Sequence, residues 1–358
     1  MKKNAFIELL RFVFASTILF FHACDDAHLL QSTFQLGGWK FSFFNSGYLS
    51  VEFFFVVSGF LMAKTAFKRN SSTEGTTNLG TETAGFLYKK TKGVAIYYFL
   101  ACVLVSIYFL VDGRDLTFVQ VRLPSLLFIQ RTGLVEKEFI GLAWYLSSML
   151  IGMAIIYPLL RKHYDTFVCL YGPLLGLMII GYLIHTTGHL AGISTWIGIT
   201  YKCNLRAIAE LSLGATCFEV SRRLREKEFN MVSRCVFSVL AILSFFVIMS
   251  NILGTERKIN DGIVLLIICF MNTLIFAEVG MLSRFRVLRS NAVFGYLGRL
   301  SMPIFLSQNI FHYWVAYFYR GKSTLAKMII IYSCTVLFSA LVDALISLYK
   351  HRKSVRNV

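Results

Sequence analysis

The chain is poor in charge and poorer still in acid. Only 15% of its 358 residues are charged, and 19 aspartates and glutamates stand against 36 lysines and arginines. With 56% hydrophobic residues and a mean hydropathy of +0.63, this composition excludes an ordinary soluble domain. The eight cysteines form no CxxC pair and no cluster of metal-ligand spacing, so no metal is expected. There is no internal repeat, and the outer loops of about 20–30 residues leave no room for a separate soluble domain; one membrane domain over 1–358 is expected. A cleavable signal peptide is not expected, because Met1-Lys2-Lys3 leads straight into a full-length apolar span.

What recurs instead is the apolar run of about 20 residues, the length that crosses a bilayer as a helix. Ten such spans are expected, near 5–24, 46–66, 93–111, 142–160, 166–185, 205–221, 235–251, 262–281, 300–318 and 328–348. The fold class is therefore all-α, a polytopic membrane protein around a polar cleft. The sixth span is the weakest, because it carries Arg206, Glu210 and Glu219. Alternate loops, beginning with residues 1–4, hold 23 of the 36 basic residues, against 12 in the opposite set. By the positive-inside rule both termini are expected in the cytoplasm of a cell with this protein in its inner or plasma membrane. The net charge of +17 is thus largely a topology signal, and no nucleic-acid partner is expected. Residues 67–92 read as a flexible cytoplasmic loop ending in a short basic interfacial helix, and 349–358 as a basic tail. Six cysteines lie in or beside apolar segments; a bridge between the other two, Cys24 and Cys203, is the less favoured reading.

Polar residues inside such spans carry the candidate chemistry. In the first span Arg11 and His22 bracket ten residues, eight of them apolar. Eleven steps of 100° return His22 to within about 20° of Arg11, roughly 16 Å further along the axis. Both face one cleft from two depths, or both anchor the helix at its two interfaces. In the second span Glu52 is either a structural carboxyl or a functional one, and Ser58-Gly59 fits close helix packing. Counting from the outer boundary, His22 lies roughly 3 Å and Glu52 roughly 9 Å deep, with Arg11 and Ser58 at roughly 18–20 Å. Trp144 and Tyr145 open the fourth span, as an aromatic-belt anchor or as cavity lining. Arg206 and Glu210, at i,i+4, suit a helix ion pair that neutralises itself. Ser307-Gln308-Asn309 and His312 are interhelical glue or line the cleft.

These residues resemble the acyltransferase-3 family of integral membrane acyltransferases. That family opens with arginine, ten residues and histidine, here Arg11 and His22. Its second span carries a glycine, a valine-acid step, phenylalanines and Ser-Gly-Phe, here Gly47, Val51-Glu52, Phe53-Phe54-Phe55 and Ser58-Gly59-Phe60. Its Trp-aromatic-Leu-Ser step is Trp144-Tyr145-Leu146-Ser147, and its later arginine and glycine are Arg206 and Gly214. The chain departs from the pattern before the third span, with Lys89, Lys90 and Lys92 for arginines and Ala95-Ile96 for a proline. It departs again in the ninth, where Ser307-Gln308 stands at the family histidine.

The resemblance implies transfer of an acyl group, acetyl first, from cytoplasmic acyl-CoA to a hydroxyl of an extracytoplasmic or membrane-linked glycan. No bound cofactor is implied; acyl-CoA is a co-substrate, and the partners are a glycan or lipid-linked sugar acceptor and membrane lipid. His22, with Glu52 orienting its imidazole, is the expected catalytic pair. Arg11, Ser58, Gly59 and Phe60 are expected to bind the donor, and Trp144, Tyr145, Arg206 and Glu210 to line the cavity. Transport of glycan or lipid-linked material through the same cleft is the competing reading. A sensor or scaffold with a degenerate site is a third, and the intact Arg11, His22 and Ser58-Gly59-Phe60 weigh against it.

Overall fold

The computed structural model of the chain describes residues 4–26, 33–36, 39–42, 45–71, 78–135, 137–254, 259–284, 291–318 and 324–356. Among them are ten helices of 16 residues or more, one for each expected span. They are α1 (Ala5–Asp26), α2 (Ser50–Asn70), α3 (Leu79–Val111), α4 (Trp144–Lys162) and α5 (Gly172–Thr187). The second half adds α6 (Lys202–Arg225), α7 (Met231–Leu253), α8 (Asp261–Ala277), α9 (Ala292–Phe318) and α10 (Thr324–Arg356). Seven of the ten meet the length and apolarity of a membrane span; α6, α8 and α9 do not. Two small antiparallel hairpins decorate the end opposite the N-terminus, Thr33–Leu36 with Trp39–Ser42 and Trp196–Ile197 with Thr200–Tyr201.

Five of the helices start directly behind an asparagine. The side chains of Asn4, Asn78, Asn230, Asn260 and Asn291 accept from the backbone N–H of Phe6, Gly80, Ser233, Gly262 and Val293 at 2.8–3.0 Å. Each satisfies an amide that the first turn would otherwise leave bare. Asn78 corrects the expected loop 67–92: the helix starts at Leu79, so most of that stretch is the front of the 33-residue α3. Glu82 fixes this start, taking Arg69 of α2 and Arg161 of α4 at 2.7 Å each. Most of the expected basic tail, 349–358, is the last part of α10, which continues to Arg356. All eight cysteines are free thiols, Cys24 and Cys203 included.

Burial sorts the helices into an inner and an outer set. In α2, 72% of the span window is buried, against 28% in α3, α7 and α10, whose large apolar side chains face outward as a lipid-facing surface must. At the centre α6 lies along α2, and it is buried on nearly every side. This accounts for its weak hydropathy: its polar residues meet protein partners, not lipid. The approach of α2 and α6 is set by glycine. A Cβ on Gly59 would collide with the Leu211 backbone, and one on Gly214 with the Val56 backbone. Small residues let helix backbones come this close.

Candidate active site

The stripe on α1 faces the interior. Ile18, seven residues after Arg11 and four before His22, shares their side of the helix. It lines a narrow apolar slot with Val51 and Phe54 of α2, Tyr145 of α4, and Ser301, Met302 and Phe305 of α9. The slot encloses about 10 Å³, the space of roughly one water.

Arg11 stands at the end of this stripe nearer the N-terminus. Its guanidinium is half-buried and donates to Glu8 at 3.1 Å. Glu8 is itself buried, packed where Gly298 of α9 leaves room for it; a Cβ there would strike it. Lys90 of α3 and Tyr145 lie within reach of the Arg11 charge. Lys90 is half-buried, its ammonium 5.4 Å over the Phe86 ring, and it forms no ion pair among the described residues. Sequence reasoning missed Glu8 as the partner of Arg11 and took Lys90 only as a departure from arginine. The spacing Glu8–Arg11, i,i+3 on one helix, was the available signal.

His22 stands half-buried at the other end, edge-on to Phe21 at 5.0 Å between ring centroids. Phe21 in turn fills the space above Gly47, where a Cβ would collide with it, so the glycine lets the entry to α2 pack on this turn of α1. Tyr48, next along, donates to Asp261 of α8 at 2.9 Å.

The Ser58-Gly59-Phe60 step points three ways, as consecutive residues 100° apart must. The Ser58 hydroxyl lies 3.3 Å from the Tyr145 hydroxyl, on the slot side. Gly59 meets α6, and Phe60 stacks on Phe276 of α8 at 3.8 Å, away from the slot. Tyr145 is held from three sides, by the rings of Phe55, Phe54 and Phe305 at 4.5, 6.4 and 5.6 Å.

Glu52 does not orient the imidazole by a hydrogen bond. It is fully buried and accepts from Arg206 Nη2 at 2.7 Å. The reason is rotational: Glu52 sits seven residues before Gly59, close to the face that meets α6. Arg206 also donates through Nε to Glu210 at 3.3 Å, so one guanidinium serves two carboxyl groups in a site closed to solvent. The remaining oxygens, Glu52 Oε1 and Glu210 Oε2, are buried and accept no hydrogen bond. The indole of Trp144 lies 5.7 Å from the guanidinium carbon. Trp144 is 4% exposed, so it is an interior side chain rather than a belt anchor. In α9, Ser307 meets Ser339 of α10 at 3.2 Å, the interhelical glue of the earlier alternative.

The geometry is thus a narrow apolar slot beside a buried ion-paired core, with Arg11 and His22 on the face of α1 that carries Ile18 into the slot. The family described as Acyltransferase domain matches residues 4–344 of the chain. The chain belongs to this acyltransferase family. Searches of the curated proteins and of the solved structures returned no match. The acyltransferase match runs from before α1 into α10, so it takes in the slot, the ion-paired core and every helix that forms them. With seven helices able to span a membrane, this acyltransferase is a multi-pass membrane protein.

Proposed function

We propose that the protein moves an acetyl group from cytoplasmic acetyl-CoA to a hydroxyl of an extracytoplasmic or membrane-linked glycan, in the inner or plasma membrane. The observation that carries this reading is the Arg11–Ile18–His22 stripe, whose middle residue lines the slot between the two ends. Arg11 and Lys90 suit the phosphates or carbonyl oxygens of the donor, Arg11 by two-point contact. The apolar lining suits the pantetheine arm and a short acyl chain. The slot is narrow, and Met302, with its flexible thioether, is the side chain best able to give way.

At the far end the acceptor hydroxyl attacks the thioester carbonyl carbon. The new C–O bond forms as the C–S bond breaks. His22 accepts the hydroxyl proton, and the coenzyme leaves as the thiolate, which takes up a proton. In this reading Glu52, Arg206 and Glu210 fix the distance between α2 and α6 and hold Trp144, and they do not touch the reacting atoms.

The test is an assay in sealed membrane vesicles with acetyl-CoA labelled in the acetyl group. Label appearing on glycan supports the reading. Movement of glycan without label would replace it with transport.

A further inference from the structure

We infer that the groove between the ends of α2 and α6 nearest the N-terminus binds a phosphate-bearing amphiphile, separately from the Arg11–His22 slot. The inference does not rest on the acyl-transfer reading. The groove encloses about 420 Å³. Phe60 lines its floor, and Phe60 and Ser58 are 200° apart on α2, so it opens on the side of α2 away from the slot.

The floor is apolar and the rim is basic. Phe60 and Phe218 meet edge-to-face at 5.2 Å deep in the groove, and Phe67 lies 5.9 Å from Phe218 on the way out. Lys64, Lys68, Arg222 and Arg225 form the rim with the hydroxyls of Ser71 and Ser221. From Phe60 to Ser71 the groove follows α2 for eleven residues, roughly 16 Å. That profile suits a ligand with an anionic head and an apolar stem.

The arginines are partly satisfied and the lysines are not. Arg222 is held by Glu219 at 2.7 Å and Glu226 at 2.6 Å, and its guanidinium lies 4.9 Å from the centre of the Phe67 ring. Arg225 donates to the Phe276 carbonyl and lies 3.9 Å from Glu278. Glu219 also takes Arg223, which leaves five cations facing three carboxylates. Lys64 and Lys68 make neither a hydrogen bond nor an ion pair among the described residues. The half-buried Lys64 feels the like charge of Arg225, the opposite charge of Glu278 and the like charge of Lys68. Lys64 is half-buried and Lys68 exposed, and both line the groove whose floor is aromatic. Phosphate, with three or more acceptor oxygens, is the group that the two free ammonium ions satisfy together with Ser221 beside them; the Ser71 hydroxyl already donates to the Phe67 carbonyl at 3.0 Å.

Such a phosphate has two sources, an anionic membrane phospholipid and a soluble coenzyme A thioester. The experiment is native mass spectrometry of the full-length protein in detergent, titrated separately with phosphatidylglycerol, phosphatidylcholine and coenzyme A. Phosphatidylglycerol binding at least tenfold more tightly than phosphatidylcholine identifies a lipid site. Coenzyme A binding that depends on the groove identifies the soluble source. In either case Lys64→Gln/Lys68→Gln should weaken binding at least tenfold, and Lys64→Arg/Lys68→Arg should retain it. Lys89→Gln/Lys92→Gln, which removes the same charge from the exposed side of α3, should leave it unchanged. Equal weakening in the two glutamine pairs, no effect of Lys64→Gln/Lys68→Gln, or no preference for either anionic ligand would overturn the inference.

Discussion

Gly59 of α2 and Gly214 of α6 face each other across a crossing so close that a Cβ on either would strike the other helix's backbone. The crossing lies between the two polar parts of the site. Ser58, one residue back, turns to Tyr145 and the slot; Glu52 and Glu210, on the same two helices, share Arg206.

Alanine at Gly59 or at Gly214 should therefore push α2 and α6 apart. Overpacking of this kind costs about 1–3 kcal/mol. Thermal unfolding of purified protein should show a clear drop in Tm for both variants. Gly93→Ala, at a position with nothing within 4 Å, should show none.

Removing Arg206 should be worse than removing one acid. Arg206→Met leaves Glu52 and Glu210 buried beside one another with no cation, and breaking a buried pair from one side costs about 3–5 kcal/mol. Glu52→Gln keeps an acceptor for the guanidinium and leaves Glu210 in place. The expected order of Tm is wild type, Glu52→Gln, then Arg206→Met. The double variant should be less destabilised than the two effects added, as for residues in contact. Additive losses would place the two residues in separate roles.

Much of this arrangement was legible from the sequence, and the losses have physical causes. Apolar length located all ten helices, and the eleven-residue spacing placed Arg11 and His22 on one face. Length could not locate helix starts, because a start is set by a cap. Asn78 and Asn291 begin α3 and α9 well before their apolar runs, through one side-chain hydrogen bond each. Glu52 was found as a buried acid but given to the wrong partner. Depth along the helix put it near His22, whereas rotation about the helix, fixed by the Gly59–Gly214 crossing, turns it to Arg206. That crossing is a tertiary fact no single span contains.

Tyr145→Phe isolates one hydroxyl. The ring packing against Phe55, Phe54 and Phe305 stays, and the contact with Ser58 is lost. A single hydrogen bond contributes about 0.5–1.5 kcal/mol to stability, so Tm should fall only slightly, while transfer should fall because the slot has lost its hydroxyl. Ser58→Ala should give a similar loss, and the pair together no more than either alone. A full-strength Tyr145→Phe enzyme would remove the hydroxyl from the site.

Orientation is testable without activity. In a cysteine-free background, a membrane-impermeant thiol reagent added outside should miss Ser72→Cys and label Gly38→Cys. The reverse would turn the cation end of the slot outward and make a cytoplasmic donor unworkable there.

The proposed function divides labour between Arg11 and His22, separated by roughly 16 Å along one helix face. The most direct test pairs acetyl-CoA binding with transfer rate for His22→Ala and Arg11→Lys in nanodiscs. Arg11→Lys keeps the charge and loses the planar fork. It should weaken donor binding about tenfold while transfer persists at saturating donor, and His22→Ala should bind donor at nearly wild-type strength and transfer nothing. Donor binding abolished by His22→Ala and untouched by Arg11→Lys would contradict the account.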